Sequence, residues 1–528
     1  PVRSETSLRS IEHAIERLPP TVRLVAATRS EPAISIAPLR ATRALIEIRA
    51  RELAFTVDEA RELIAREGIK LSGDSLELLV ERTEGWPAGL YLAALWLRDF
   101  AEPDEGVEAF AGSARQVADY LTAEVLTALD PRTRDFLVRT SVLDRFTPEL
   151  CDAVVDREDS AAVVAQLARS NMFLVASDPR GEWYRYHHLF GELLRLELGT
   201  EETHTVRRRA MAWCRAHGHI EDAIEYAAAA GEAELVAQLL VEHDRELVWG
   251  GRVGQFLRWV RWLPSEQLIE RPSLPAGGAV AASLLGAPEV EIERLLTVAE
   301  RARRERPELW SPYAEAIVEV TRANGLSRGD VGAAIGHASR AVAAARQGAD
   351  VLAVAVSTAL SQALYFAGDL DEARRLALEA AERPDAPGVP EGYVGSLGLL
   401  ALIDAERGRS ESAQAWAHQA IGFARQRFQA DSWVGSLPHL GLALALVATG
   451  RLDEAERAAL CGERLRRSPH PTVGHAHALL VLAQVRIARS RLARAAGDLG
   501  RAQRSIAEFR DPGRLPAIAA RVERTLTA

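Results

Sequence analysis

Along the chain, the spacing of apolar positions changes character once. Residues 21–28 (Thr-Val-Arg-Leu-Val-Ala-Ala-Thr) form a short β-branched, apolar run entered from Pro19 and Pro20. That is the pattern of one buried strand inside a parallel α/β sheet. One strand cannot make a sheet, so its partners are expected before Pro1, with the chain starting partway through an α/β domain. From about Asp58 the period becomes helical. Thr56 is expected to cap the first helix, with Asp58 and Glu59 in the first turn, where the helix dipole favours carboxylates. Residues 74–82 and 88–98 predict further amphipathic helices. Between about 114 and 200, several helices accompany a predicted strand pair, 172–177 and 182–186, joined by the turn Asp178-Pro179-Arg180-Gly181. Helices plus one hairpin predict a small winged-helix-like unit.

Beyond about 205 the pattern is wholly helical, and from about 310 it repeats. Five segments share a signature: Gly329-Asp-Val-Gly-Ala-Ala334, Gly368-Asp-Leu-Asp-Glu-Ala373, Gly408-Arg-Ser-Glu-Ser-Ala413, Gly450-Arg-Leu-Asp-Glu-Ala455 and Ser490-Arg-Leu-Ala-Arg-Ala495. Their first residues are 39, 40, 42 and 40 positions apart. Glycine is expected to end one helix in a left-handed cap. The polar residue caps the next helix, the following apolar residue faces its partner, and the alanine at the sixth place lets two helices approach closely. A helical hairpin of this size cannot bury its apolar face alone, so the repeats must stack into a superhelix with a concave groove. Gly218-His-Ile-Glu-Asp-Ala223 matches more weakly and suggests that the helical array begins near 205.

Composition narrows the class. A chain of 528 residues is too long for one core, and a length prior gives about three domains. With 48% hydrophobic and 26% charged residues, it reads as folded and soluble rather than disordered. The 64 Lys and Arg are outnumbered by 74 Asp and Glu, which argues against a free-standing nucleic-acid binder. Lys70 is the sole lysine and has no Gly-rich loop before it, so it is not a P-loop lysine. Cys151, Cys214 and Cys461 form no CxxC pair, and a reducing cytoplasm fits. No secretory leader is visible. The most apolar run, 434–450, is broken by Pro438 and His439 and is too short to span a membrane. Starting at Pro1 is what a fragment would look like.

Three places invite chemistry. Arg29 directly follows the predicted strand, where open α/β sheets bind ligands, and would meet a phosphate there; it reads equally as a surface arginine. Gly85-Trp86-Pro87 interrupts helical pattern, and Pro87 at a helix start is structurally cheap, so a packed turn explains it too. His187 and His188 stand at a helix start after a strand. Neighbouring histidines diverge on a helix, which disfavours a metal, while a phosphate contact at a helix N-terminus is chemically sensible; a structural pair is the plain alternative. No GxxxxGK[ST], GxSxG, HExxH or Rossmann fingerprint occurs, and no catalytic or metal-binding residues are assigned. Trp249, Trp259 and Trp262 suit inter-repeat packing, with a ligand groove as the other possibility.

Taken in order, several runs resemble one family. They are Ala26-Ala-Thr-Arg-Ser-Glu-Pro32, Leu39-Arg40, Glu47-Ile-Arg-Ala-Arg-Glu-Leu53-Ala-Phe55-Thr56 and Glu81-Arg-Thr-Glu-Gly-Trp-Pro-Ala-Gly-Leu90, then Thr140-Ser-Val-Leu143, Asn171-Met-Phe-Leu174 and Tyr186-His-His-Leu-Phe190. Together they are similar to the MalT-like, LuxR-type regulators, which are signal-transducing ATPases with numerous domains. The resemblance spans about residues 20–200. It implies a nucleotide-binding domain, a helical domain and a winged helix closing around ATP or ADP. An effector-binding array of tetratricopeptide-like repeats would follow, and then a LuxR-type helix-turn-helix. On this resemblance Arg29 matches the sensor arginine that reads the terminal phosphate. Gly85 and Pro87 match the element beside the adenine, and His187 matches the winged-helix histidine that contacts the phosphates. His188 stands where relatives often carry an acid, and its role is open. The P-loop, the Mg²⁺-binding acidic strand and the helix-turn-helix are absent from this sequence.

The expected fold is mainly α. It comprises the C-terminal part of an α/β NTPase domain (1–55), a helical domain (56–110), a winged-helix-like domain (111–204), early repeats or linker (205–310) and a TPR-like array (311–528). The expected function is a cytoplasmic, ATP/ADP-dependent, signal-sensing transcriptional regulator, not itself an enzyme. A small effector or protein ligand would bind the array. DNA would be met only through the missing helix-turn-helix, with self-assembly on activation and no membrane role. The alternative is a TPR-type protein-interaction scaffold without nucleotide switching. A hydrolase or transferase in the first 200 residues has no motif behind it.

Overall fold

The computed structural model describes residues 5–19, 21–27, 34, 36–42, 44–48, 50–110, 115–169, 173–178, 180–249, 251–324, 329–427, 433–466 and 472–528. Two compact units emerge, residues 1–232 and 233–528.

In the first unit the expected strand does not form. Residues 21–27 are irregular, and Val22, Leu24 and Val25 are 49%, 58% and 91% exposed. A strand persists only where a neighbour takes up its N–H and C=O groups, and the described residues offer none there. The helical pattern begins as expected at Val57–Arg66. Thr56 and Glu59 form a reciprocal capping box, the Thr56 side chain accepting from the Glu59 N–H and the Glu59 carboxylate from the Thr56 N–H. Helices Gly73–Thr83, Pro87–Leu97 and Pro103–Ala109 pack with it around Ile64, Leu79, Leu90 and Leu97. The Arg82 guanidinium donates to the carbonyls of Val107, Glu108 and Phe110, satisfying carbonyls that the end of the last helix leaves free.

Helices Pro131–Thr140, Pro148–Val155, Ser160–Arg169, His188–Glu197 and Thr200–Ala216 surround one antiparallel hairpin, β1 (Leu174–Ala176) and β2 (Tyr184–Tyr186). The hairpin is shorter than the sequence pattern predicts, and its turn is the one expected. The Asp178 carboxylate accepts from the N–H groups of Arg180, Glu182 and Trp183, an Asx-type turn. Phe146 adds a further antiparallel bridge to Tyr184. The rings of Phe146, Tyr186, Phe173 and Phe190 pack beneath the hairpin. The buried Tyr186 hydroxyl lies 2.6 Å from Thr140 Oγ1.

The second unit is helical throughout its described residues. Five hairpins stack in order: Pro312–Asn324 with Val331–Arg346, Ala353–Ala367 with Leu370–Glu382, Pro390–Glu406 with Ser410–Arg427, Ser436–Ala448 with Leu452–Arg466, and Val473–Ala488 with Leu492–Ala507. Helix Leu515–Thr527 follows them. The signature behaves as its chemistry requires. Gly329, Gly368, Gly408, Gly450 and Ser490 all have positive φ (67°, 101°, 75°, 75° and 56°). Ala334, Ala373, Ala413, Ala455 and Ala495 are all buried. Asp330 and Asp369 cap the next helix, whereas Arg491 makes no side-chain cap, having no acceptor to offer. The apolar third place is less regular, with Val331 buried and Leu492 49% exposed. Asp404 is completely buried and held by Arg374 at 2.8 Å and by Ser412 at 2.6 Å. One stretch, 350–367, is long and apolar enough to cross a membrane. Here it packs as a repeat helix against four neighbouring helices in the stack. Trp259 is buried as a packing residue, while Trp262 is 43% exposed.

Candidate functional site

Helix Gly73–Thr83 cannot continue past Thr83, because Glu84 and then Gly85 turn left-handed with φ 49° and 68°. The Gly85 N–H closes on the Val80 carbonyl at 3.0 Å, and the Gly85 carbonyl accepts from Phe55 N–H at 2.7 Å. A Cβ on Gly85 would lie 2.6 Å from the Phe55 carbonyl oxygen. Both the dihedral and the close approach therefore demand glycine. Trp86 is extended, as a residue before proline prefers, and Pro87 opens the next helix where its missing N–H costs nothing. The Trp86 ring folds back over Gly89.

This corner is docked on the end of β2. Arg185 grips the Glu84 carboxylate with both terminal nitrogens, at 2.7 and 2.8 Å, and the His188 N–H donates to the same carboxylate at 3.0 Å. Burial pushes the Glu84 carboxyl up. Arg185, His187 and the His188 N–H outweigh it and hold the group below the usual carboxylate range. His187, 8% exposed, has its Nε2 3.0 Å from the Thr83 carbonyl. A carbonyl only accepts, so Nε2 carries the proton and Nδ1 keeps its lone pair in the neutral ring. The ring sits edge-on to Trp86 at 5.9 Å and to Phe173 at 5.7 Å. Burial drives its pKa below the ordinary histidine value, against the opposing pull of Glu84 and the Thr83 carbonyl. Nδ1 is buried and has no hydrogen-bond partner.

Three of the four expected site residues, Gly85, Pro87 and His187, thus meet at one corner, and Arg29 lies outside the described residues. Their fit to a nucleotide is specific in one respect and poor in another. The N–H of Gly85 and the Nε2 of His187 are already engaged by protein carbonyls. The free valence is His187 Nδ1, which could donate to a phosphate oxygen only when the ring is charged. Glu84, Arg185 and Thr83 were not singled out in the sequence. The one local sign of Glu84 is its place beside Gly85 at a helix end; nothing in sequence pairs it with a residue 101 positions away. His188 is exposed, with its ring 3.9 Å from Glu84.

Residues 122–206 match the MalT winged helix domain. The HTH-type transcriptional regulator MalT of Klebsiella pneumoniae subsp. pneumoniae is 34% identical over 263 residues, covering 48% of this chain and 29% of MalT. The serine/threonine-protein kinase PknK of Mycobacterium tuberculosis is 28% identical over 309 residues, 57% of this chain and 28% of PknK. The matches span less than a third of either relative. A solved signal-transduction ATPase with a tetratricopeptide repeat sensor, PH0952 from Pyrococcus horikoshii, aligns over 90% of this chain and 75% of its own. It is 17% identical with a TM-score of 0.46, too low to establish a common fold. Residues 122–206 of the first unit are thus similar to the MalT winged helix domain, and the second unit is an array of stacked helical hairpins.

Proposed function

We propose that this chain is the switch and sensor portion of a transcriptional regulator, with the corner at Thr83–Pro87 as the joint that a bound ATP or ADP stabilises. The support is one observation: the helical corner is tied to the wing by a two-point Glu84–Arg185 ion pair and by the His187 ring on Thr83. Such a joint is bistable in a useful way. Its polar contacts are few and concentrated, so a ligand that favours one arrangement shifts the population by its difference in affinity for the two. In this reading Gly85 and Pro87 shape the wall beside the base, and His187, once charged by an adjacent phosphate, donates from Nδ1. Arg29 reads the terminal phosphate. The proposed division is 1–55, 56–110, 111–204, 205–310 and 311–528, with a small effector or protein ligand held by the last segment and no catalysis by this stretch.

The test is ADP retention by the longer protein that supplies the P-loop, compared with its His187→Ala and Glu84→Ala variants. Faster ADP release from both supports the joint. Unchanged release from both would leave the array as an interaction scaffold without nucleotide switching.

A further inference from the structure

A repeat array normally touches only its nearest neighbours in sequence. This one does not. The segment Phe509–Arg514, just after the fifth hairpin, returns to the first. Asp511 pairs with the strand-like Asp330 in a parallel bridge: Val331 N–H donates to the Asp511 carbonyl at 3.0 Å, and Asp511 N–H to the Gly329 carbonyl at 2.8 Å. The Asp511 carboxylate also accepts from Gly332 N–H at 2.9 Å and from Gly513 N–H at 3.0 Å. It thereby joins Asp330 in capping helix Val331–Arg346. The Phe509 ring occupies the space over Gly329, where a Cβ would come within 2.3 Å of it.

Three positions on, Arg514 completes the second hairpin instead. Its N–H donates to the Phe366 carbonyl at 2.8 Å, at the end of helix Ala353–Ala367. Gly513 lies so close to that carbonyl that a Cβ would be 2.2 Å away. The Arg514 guanidinium lies over the Tyr365 ring at 5.0 Å and donates to Glu406 at 2.5 Å. Glu406 in turn accepts from the Tyr365 hydroxyl, which stands 3.0 Å from His477 Nε2. These helix ends therefore offer a full set of receptors: a glycine platform for an aromatic ring, two backbone groups and an N-terminus for an aspartate, and an acid with a tyrosine ring for an arginine. Arg514 Nη1 and His477 Nδ1 nevertheless remain buried with no hydrogen-bond partner. The fit is close without being complete, as suits a contact that can be given up.

We propose that Phe509–Arg514 is an intramolecular clasp seated on a peptide-recognition face, and that this face takes extended segments of the form aromatic–x–Asp–Pro–Gly–Arg. The occupant is the chain's own segment, and releasing it opens the face to a protein partner carrying the same chemistry. This goes beyond the nucleotide reading and does not depend on it.

The experiment is amide hydrogen exchange on the full chain and on its Phe509→Ala/Asp511→Ala variant, with Arg510→Ala, whose 87% exposed side chain makes only a 3.5 Å ion pair to Asp330, as the mild comparison. The double variant should exchange at least tenfold faster at Val331, Gly332 and Arg514. Protection in helices Ser410–Arg427 and Leu452–Arg466 should be unchanged. A synthetic peptide with the sequence of residues 508–515 should restore the lost protection in the variant and leave the parent unaltered. Unchanged exchange at Val331 and Gly332 would overturn the proposal. So would loss of protection along the whole array, which would make the segment a staple of the fold, or failure of the peptide to restore protection.

Discussion

At the residue scale, two left-handed backbone positions, Gly85 and Ser490, make opposite predictions. Gly85 has φ 68° and no room for a Cβ beside the Phe55 carbonyl. Gly85→Ala should destabilise the first unit by about 2 kcal/mol or more, the left-handed cost alone being roughly 1–2 kcal/mol. A urea midpoint unchanged from the parent would show that the corner relaxes freely. Ser490 holds φ 56° with a side chain at the place where the other four repeats carry glycine. Ser490→Gly should raise the stability of the array by about 0.5–1 kcal/mol, read as a higher thermal midpoint. A lower midpoint would mean that the serine side chain contributes more than its backbone strain costs.

At the element scale, the contact between the helical corner and the wing rests on Glu84 and Arg185, both partly buried. The Glu84 carboxyl is held below its ordinary range in the folded state. Its contribution is therefore complete above the unfolded carboxylate pKa and is lost as pH falls through the folded value. Glu84→Gln should destabilise the first unit by about 1 kcal/mol at neutral pH, a charge-assisted pair discounted for partial exposure, and should flatten its loss of stability below about pH 4.3. Chemical denaturation of the parent and variant at pH 7 and pH 3.5 separates the two effects. Equal acid sensitivity would assign the loss to other carboxylates.

The elements themselves were largely legible, because what defines them is encoded within a few residues. Thr56 with Glu59, Asp178 in its turn, and the glycine-to-alanine signature of the repeats each declare a local geometry. What escaped depends on distance. Residues 21–28 read as a buried strand from their β-branched run, yet burial is decided by neighbours that a run of eight residues cannot specify. Gly85, Pro87 and His187 were found through family resemblance, but the partners that tie them together, Thr83, Glu84 and Arg185, became visible only when a helix end met a strand about a hundred positions away. The return of residues 509–514 to the first repeat has no local signal at all.

At the scale of the whole array, two buried ionisable groups oppose each other. Burial depresses His477, which faces Tyr365, Glu406, Arg514 and Arg466, from 6.5 to about 4. Burial raises Glu391, with Arg427 as its counter-charge, from 4.5 to about 7. Between pH 4 and 6.5 the unfolded state binds the histidine proton and the native state does not, so this group makes stability fall as pH drops. Between pH 4.5 and 7 the native state keeps the carboxyl proton, so that group makes stability fall as pH rises. The two slopes cancel across their shared window. Glu391→Gln should unmask a stability that climbs with pH between 4.5 and 6.5, by up to about 1.4 kcal/mol per pH unit. His477→Gln should unmask the reverse. Urea midpoints at half-unit intervals decide it, and a variant profile parallel to the parent's would exclude the residue concerned.

The returning segment also sets an order of events during synthesis. Gly332 and Asp511 are 179 positions apart, which at about 5–20 residues per second is roughly 9–36 s of translation. Hairpins, made of near neighbours, close long before that. Each newborn molecule therefore passes through an interval in which its repeats are stacked while the stretch that will cover them has yet to leave the ribosome. A binding protein that arrives in that interval meets no internal competitor, and one that arrives later must displace it.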